Sequence, residues 1–175
     1  DKIFMLYLST MMVPGAVTMI PSFVMMKAFG WLDTHYPLIV PGFVGAWGTF
    51  MMRQFMLTIP RDLEDAAKID GCSRFKIYWK IILPISQPAL ATLGIFTFMG
   101  AWNGYLWPLI IIESRENWTL PLGLANFQSR YAYMTPYQLI MAASFISVLP
   151  IMILFMAGQK YYVQGIVTTG LKGAA

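Results

Sequence analysis

Four long windows, residues 3–26, 38–58, 88–112 and 139–163, are almost free of charge, the second interrupted only by Arg53 and Gln54 near its end. A bilayer core of about 30 Å is crossed by about 20 apolar residues in a helix, because lipid offers backbone groups no hydrogen-bond partner. Each window meets that length. Of the 175 residues 58% are hydrophobic and only 11% charged, against about 25% charged in soluble domains. The expected fold class is all-α: a polytopic transmembrane helix bundle of about four spans, one domain over residues 1–175.

Charge sets the orientation. With the loop at 61–84 in the cytoplasm, Lys2, Arg53, Arg61, Lys68, Arg74, Lys76, Lys80, Lys160 and Lys172 lie inside, and only Lys27, Arg115 and Arg130 lie outside. The positive-inside rule then puts both chain ends on the cytoplasmic side. Topology accounts for the net charge of +4, so nucleic acid is not expected as a partner. The chain opens on Asp1 without the basic and short apolar regions of a secretory signal, which leads us to expect a fragment whose upstream spans lie outside it. A single cysteine, Cys72, excludes an internal disulfide framework.

Between the second and third windows lies the charged stretch EDAAKIDGCSRFKIYWKIILP, residues 64–84. Pro60 ends the preceding window; Asp62, Glu64 and Asp65 complement the dipole at a helix start, and Lys68 follows toward its end. Gly71 supplies the positive φ that a helix C-terminus favours. Ser73 caps a second helix in which Phe75, Tyr78, Trp79 and Ile82 recur at helical spacing as one apolar face, and Pro84 closes the unit. Two short helices with a glycine elbow result, outside the membrane, whose aromatics call for a protein surface or the lipid interface to cover them. Three readings follow from the residues: a DNA-binding helix-turn-helix, an amphipathic connector lying on headgroups, or a docking element for a cytoplasmic protein. Tethering at both ends and the acidic residues disfavour the first.

The stretch resembles the EAA motif of permease subunits of bacterial ATP-binding-cassette (ABC) importers: EAA, three residues, G, nine residues, then I, one residue, L and P. Here Asp65, Ala66 and Ala67 precede Gly71, and Ile81, Leu83 and Pro84 follow at matching intervals. The departure is Asp65 in place of the first glutamate, with Glu64 beside it; either carboxylate can fill the role. The segments MMVPGAVTMIPSFVMMKAFGWLDTHYPLIVPG, AWNGYLWPLI, TLPLGLANFQ and LPIMILFMAGQKYYVQGIVTTGLKG are similar to the maltose-type second membrane subunit of these carbohydrate importers. The resemblance implies a type I importer permease in the bacterial inner membrane, half of a pore for a sugar or oligosaccharide, with further N-terminal spans. It implies as partners a second permease subunit, a cytoplasmic ABC ATPase dimer, an extracytoplasmic sugar-binding protein and membrane lipid. Residues 61–84 would be the coupling helices, braced by Phe75, Tyr78 and Trp79, with Glu64 or Asp65 facing a basic residue of the ATPase. No cofactor is expected in this chain: it has no G-x-x-x-x-G-K-[ST] loop, so the resemblance leaves ATP and magnesium to the partner. The alternative is an ATP-independent transporter or channel in which 61–84 is a passive connector.

No catalytic or metal site is expected. His35 is the only histidine, in a loop beside Asp33 and Tyr36, where a structural or solvated role is the better expectation. For the transport path, Trp102, Asn103 and Tyr105 interrupt the third window; an amide among aromatic rings suits a sugar, whereas the structural alternative has Asn103 bonding another helix while Gly100 and Gly104 allow close packing. Gly42, Gly45 and Gly48 form a small-residue stripe expected to pack closely, and Pro14 and Pro21 are candidate kinks. The segment 113–138, with Trp118, Phe127, Tyr131, Tyr133 and Tyr137, is the external loop, expected to meet the binding protein or to pack on its own bundle. Asn117–Trp118–Thr119 reads as a chance glycosylation sequon, and the tail at 159–173 is expected at the cytoplasmic surface.

Overall fold

Proline and glycine punctuate the apolar windows, and in the computed structural model three of the four windows break at or beside them. The structure describes residues 2–130 and 137–170, with backbone alone at 127–130 and 160–170. Tyr131, Tyr133 and tail residues 171–173 therefore lie outside the described residues, as do the side chains of Phe127 and of the tail from Lys160 onward. Every regular element described is helical. They are α1 (Lys2–Ser9, extended by a 3-10 turn over Thr10–Met12), α2 (Gly15–Ala28), α3 (Tyr36–Ile39), α4 (Ala46–Met56), α5 (Arg61–Ile69), α6 (Arg74–Ile77), α7 (Leu83–Ile85), α8 (Gln87–Trp102), α9 (Leu106–Ile111), α10 (Leu120–Arg130) and α11 (Tyr137–Gly170).

The first window bends by 95° between Met12 and Gly15, where Val13 and Pro14 are extended. Pro14 thus marks the kink, whereas Pro21 sits inside α2 without ending it. The second window is not one helix: a 3-10 turn over Val40–Phe43 runs into extended Val44, leaving α4 with 11 residues. At about 1.5 Å per residue α4 falls well short of a bilayer core. The third window stops at Trp102 and resumes at Leu106. Among the described residues only Tyr137–Gln159, within α11, is by itself long and apolar enough to cross a membrane; the bent pairs Lys2–Met12 with Gly15–Ala28 and Arg74–Ile85 with Gln87–Trp102 each reach that length together. Against the four spans expected, the described residues thus give one by length and composition, or up to three where each bent pair is a single span, and the second window is shortened by its Pro41–Gly45 stretch. No side chain over 137–157 is buried, and Ile3, Val17, Phe43, Leu139 and Phe145 are all mostly exposed. Apolar surface of this extent needs lipid or other helices around it.

The backbone divides into two units, Asp1–Ala46 with Phe98–Ile153 and Trp47–Thr97 with Leu154–Ala175. The core of the first is Met26, Ile111, Ile112 and Leu122, with Phe23, Trp31, Leu32, Leu38, Trp107 and Trp118 packed on it. Trp118 thus covers its own unit rather than presenting its face outward, while Tyr137 is exposed. In the second unit two glycines approach α8, Gly48 against Leu93 and Gly158 where a Cβ would collide with Ile95, and Trp47 meets Phe96 edge-on at 5.8 Å. Of the predicted glycine stripe Gly48 has such a neighbour, whereas a Cβ added at Gly42 or Gly45 would meet nothing within 4 Å.

Candidate functional site: a capped helix elbow

The elbow in the second unit begins at Pro60, whose extended backbone (φ −60°, ψ 133°) leads into α5 with Asp62 and Glu64 in its first turn. It turns at Gly71, φ +75°. There the Gly71 N–H donates to the Lys68 carbonyl and the Cys72 N–H to the Ala67 carbonyl, both at 3.0 Å. This is the Schellman arrangement, which satisfies carbonyls that a helix end otherwise leaves unpaired. A Cβ on Gly71 would touch nothing within 4 Å, so the backbone angle alone demands glycine. Ser73 then caps α6, its Oγ accepting from the Lys76 N–H at 3.4 Å.

Ala67, Ile77 and Ile82 form the core between the two helices, with Met56, Ile59, Cys72 and Ile81 around it. Alanine at 67 lets α6 come close, while its neighbour Ala66 faces solvent. Phe75, Tyr78 and Trp79 are 74%, 42% and 59% exposed, so the expected bracing by aromatics is corrected: the isoleucines brace the elbow and the aromatics face outward. The register explains it. Residues Tyr78–Ile82 form a π turn, with the Leu83 N–H bonded to the Tyr78 carbonyl five residues back, which rotates Ile82 away from the stripe of Phe75 and Trp79. A regular turn would drive the Pro84 ring into the carbonyl four residues before it, and the π turn precedes that ring. Pro84 therefore does not close the unit as expected. The helix runs on to Ile85 and bends by 69° into α8 at buried Ser86, whose Oγ donates to the Ile82 carbonyl at 2.7 Å.

The two candidate carboxylates have different surroundings. Asp65 pairs with Lys68 on its own helix at 2.7 Å, and the hydrogen bond and charge of Lys68 hold its carboxyl below the usual value, helped by Arg61. Glu64 instead lines a groove of about 410 Å³ with Lys68, Arg74 and Tyr78 over Met56, Ile77 and Ile82. Both carboxylates are exposed, as docking to another protein requires. Leu83 is half-buried and Pro84 exposed, at the exit toward α8.

The predicted transport residues are arranged differently. The Trp102 ring N–H donates to the Ser147 carbonyl at 3.0 Å and the ring stacks on Phe98 at 5.4 Å, so Trp102 fixes the end of α8. Asn103 Nδ2 donates to the Met99 carbonyl of the same helix at 2.9 Å, not to another helix, and a Cβ at Gly104 would lie 3.2 Å from the Ala101 carbonyl oxygen. Asn103 and Tyr105 are exposed in the break before α9, and neither lines the neighbouring apolar cavity of about 560 Å³, whose walls include Met19, Met25, Phe29, Trp31 and Trp107.

A polar clamp that sequence reasoning missed holds the first unit together. Asp33, φ +56°, accepts at one carboxylate oxygen from the Glu113 N–H (3.0 Å), the Ser114 N–H (2.8 Å) and the Ser114 hydroxyl (2.9 Å). These bonds, the Ser114 backbone first, lower its pKa. Asn117 Nδ2 donates to the Asp33 carbonyl at 2.7 Å, so the sequon amide is engaged within the fold. His35, exposed beside it, contributes its carbonyl to the start of α3. Aspartate near a positive-φ glycine was the available signal, but its partners lie some 80 residues away.

Among the described residues no group of His, Cys, Asp and Glu is placed to hold a metal ion. The chain is similar along 97% of its length to the arabinooligosaccharides transport system permease protein AraQ of Halalkalibacterium halodurans, 37% identical and covered over 60%. It is 35% identical to the lactose transport system permease protein LacG of Rhizobium radiobacter, over 94% of this chain and 60% of that one. The chain thus spans about 60% of the length of these curated relatives. A crystal structure of a bacterial ABC transporter involved in the import of the acidic polysaccharide alginate matches with a TM-score of 0.70 at 27% identity, over 84% of this chain and 59% of that one. The family model for the binding-protein-dependent transport system inner membrane component covers residues 1–168, and the chain belongs to that family.

Proposed function

We propose that this chain is a multi-pass membrane subunit of an ABC importer, forms half of the pathway for a sugar or oligosaccharide, and couples to a separate ATPase through residues 61–84. The observation that carries this reading is the elbow. An exposed acidic helix is fixed by a hydrogen-bonded turn and an isoleucine core to a second helix that continues, through the bend at Ser86, into the apolar α8. A push received at Glu64, Asp65 and Ala66 is passed through Ala67 and Ile77 to Ile81, Leu83 and Pro84, since a packed core transmits displacement that a loose loop absorbs. The names of the relatives support sugar as cargo, and Asn103 and Tyr105, exposed at the break before α9, are the candidates for contact with it. The partners of this reading are a second permease subunit, the cytoplasmic ATPase dimer that binds ATP and magnesium, and an extracytoplasmic sugar-binding protein.

The test is sugar uptake and sugar-stimulated ATP hydrolysis by the reconstituted full-length transporter, with Glu64→Lys and Asp65→Lys introduced together. Both activities are expected to fall while the subunits remain in the membrane. Unchanged uptake would leave residues 61–84 as a passive connector.

A further inference from the structure

The outward face of the second elbow helix has a composition that its inner face does not explain. Phe75 and Trp79 stack one turn apart, with ring centroids 6.1 Å apart and planes inclined by 12°, and both are more than half exposed. Lys76 and Lys80 run along one edge of that stripe, also one turn apart and exposed, and neither forms an ion pair among the described residues. Arg74, on the other side, is instead part of the groove that contains Glu64. From Cys72 to Ile112 the chain has no acidic residue at all.

Position adds to composition. The helix over Arg74–Ile85 meets α8 at 69°, so where an upright α8 crosses the bilayer this helix lies nearer to the membrane plane than to its normal. Indole and phenyl rings with a cationic edge, on a helix lying flat at the end of a span, match the requirements of the headgroup region. There rings enter the acyl boundary while ammonium groups remain at the depth of the phosphates.

From this we infer that Phe75, Trp79, Lys76 and Lys80 form a binding surface for anionic phospholipid headgroups of the cytoplasmic leaflet. The inference rests on the reading of α8 as a span. It divides the elbow: α5 is left to a protein partner, and the outer face of α6 with the following π turn is held by lipid. The helix that transmits the ATPase stroke would then slide along an anionic surface, and its resting position would depend on leaflet charge.

The test uses the full-length transporter with its partner subunits, in vesicles of phosphatidylcholine with and without phosphatidylglycerol, each lipid in turn bearing a photoreactive headgroup, with cross-links mapped by mass spectrometry. Labelling of residues 75–80 is expected to favour phosphatidylglycerol. It should drop about fivefold for each lysine exchanged in Lys76→Gln and Lys80→Gln, and return with Lys76→Arg and Lys80→Arg. These lysines are exposed, so the exchanges leave the fold intact. Equal labelling of residues 75–80 by both headgroups, or headgroup labels on neighbouring residues and none on 75–80, would overturn the inference. A lipid with a photoreactive acyl chain separates the two layers: unlabelled residues 88–102 would refute the span itself, whereas labelled 88–102 with unlabelled 75–80 would refute only the headgroup surface.

Discussion

The turns at Gly30 and Gly71 share one backbone design and have different consequences. In each, a glycine with φ near +70° ends a helix, and its own amide and the next donate to carbonyls of the last turn: Gly30 to Lys27 and Trp31 to Met26 in the first unit, Gly71 to Lys68 and Cys72 to Ala67 in the second. After Gly71 all the stabilising partners are close in sequence. Ser73 caps the next helix and Ile77 returns onto Ala67. After Gly30 the chain is pinned by Asp33 to Glu113 and Ser114, and by Asn117 back to Asp33. A unit closed by local bonds can move as a body, which suits a coupling element; one closed by a distant carboxylate ties two loops into a fixed rim.

The largest effect that would break this comparison is expected from the elbow core. Ile77→Ala, at a site 5% exposed, should cost about 2–5 kcal/mol. Amide exchange should rise over 61–85 and remain unchanged at 113–118. The converse variant, Asp33→Ala, should release the Glu113 and Ser114 amides to exchange and leave 61–85 protected. Acid should act in the same direction. The folded pKa of Asp33 lies below its ordinary value of 3.8, so the stabilisation is present above 3.8 and is lost only as pH falls through the folded pKa. Exchange at 113–114, corrected for its intrinsic pH dependence, should be flat from neutral to mildly acidic pH and rise in stronger acid. A smaller effect sharpens the likeness of the turns. Gly30→Ala and Gly71→Ala should each cost about 1–2 kcal/mol, and similarly, since both glycines are at positive φ in open space. The smallest is Asp65→Asn. It breaks an exposed pair with Lys68 and should leave the melting temperature unchanged, as exposed pairs contribute little.

The same contrast governs what could be read from the sequence. Pro60, Gly71 and Ser73 signal within five residues of the bonds they make, and all three hold the positions their chemistry predicts. The apolar stripe at Phe75, Tyr78 and Trp79 was legible as a stripe, but not its direction. The π turn at Tyr78–Ile82 adds a residue to one turn and changes which side Ile82 faces, and only the approach of α5 chooses the buried side. The kink at Pro14 was legible; the break at Val44 was not, because Pro41, Gly42 and Gly45 are residues that membrane helices often tolerate. Asn103 was legible as a polar interruption of the third window, but not its partner, which is Met99 of its own helix where a bond to another helix was the structural alternative. Asp33 and Gly158 were not legible, since their partners, Ser114 and Ile95, are about 80 and 60 residues distant and no local pattern encodes them.

Co-purification asks whether the Gly71 elbow carries the proposed contact with the ATPase. The full-length permease is isolated from membranes with its ATPase, comparing the native chain with one carrying Gly71→Pro and Asp65→Lys. Proline fixes φ near −65°, where the turn needs +75°. The ATPase is expected to be lost while the permease subunits stay together in the membrane. Full retention of the ATPase, with hydrolysis still stimulated by sugar, would contradict it.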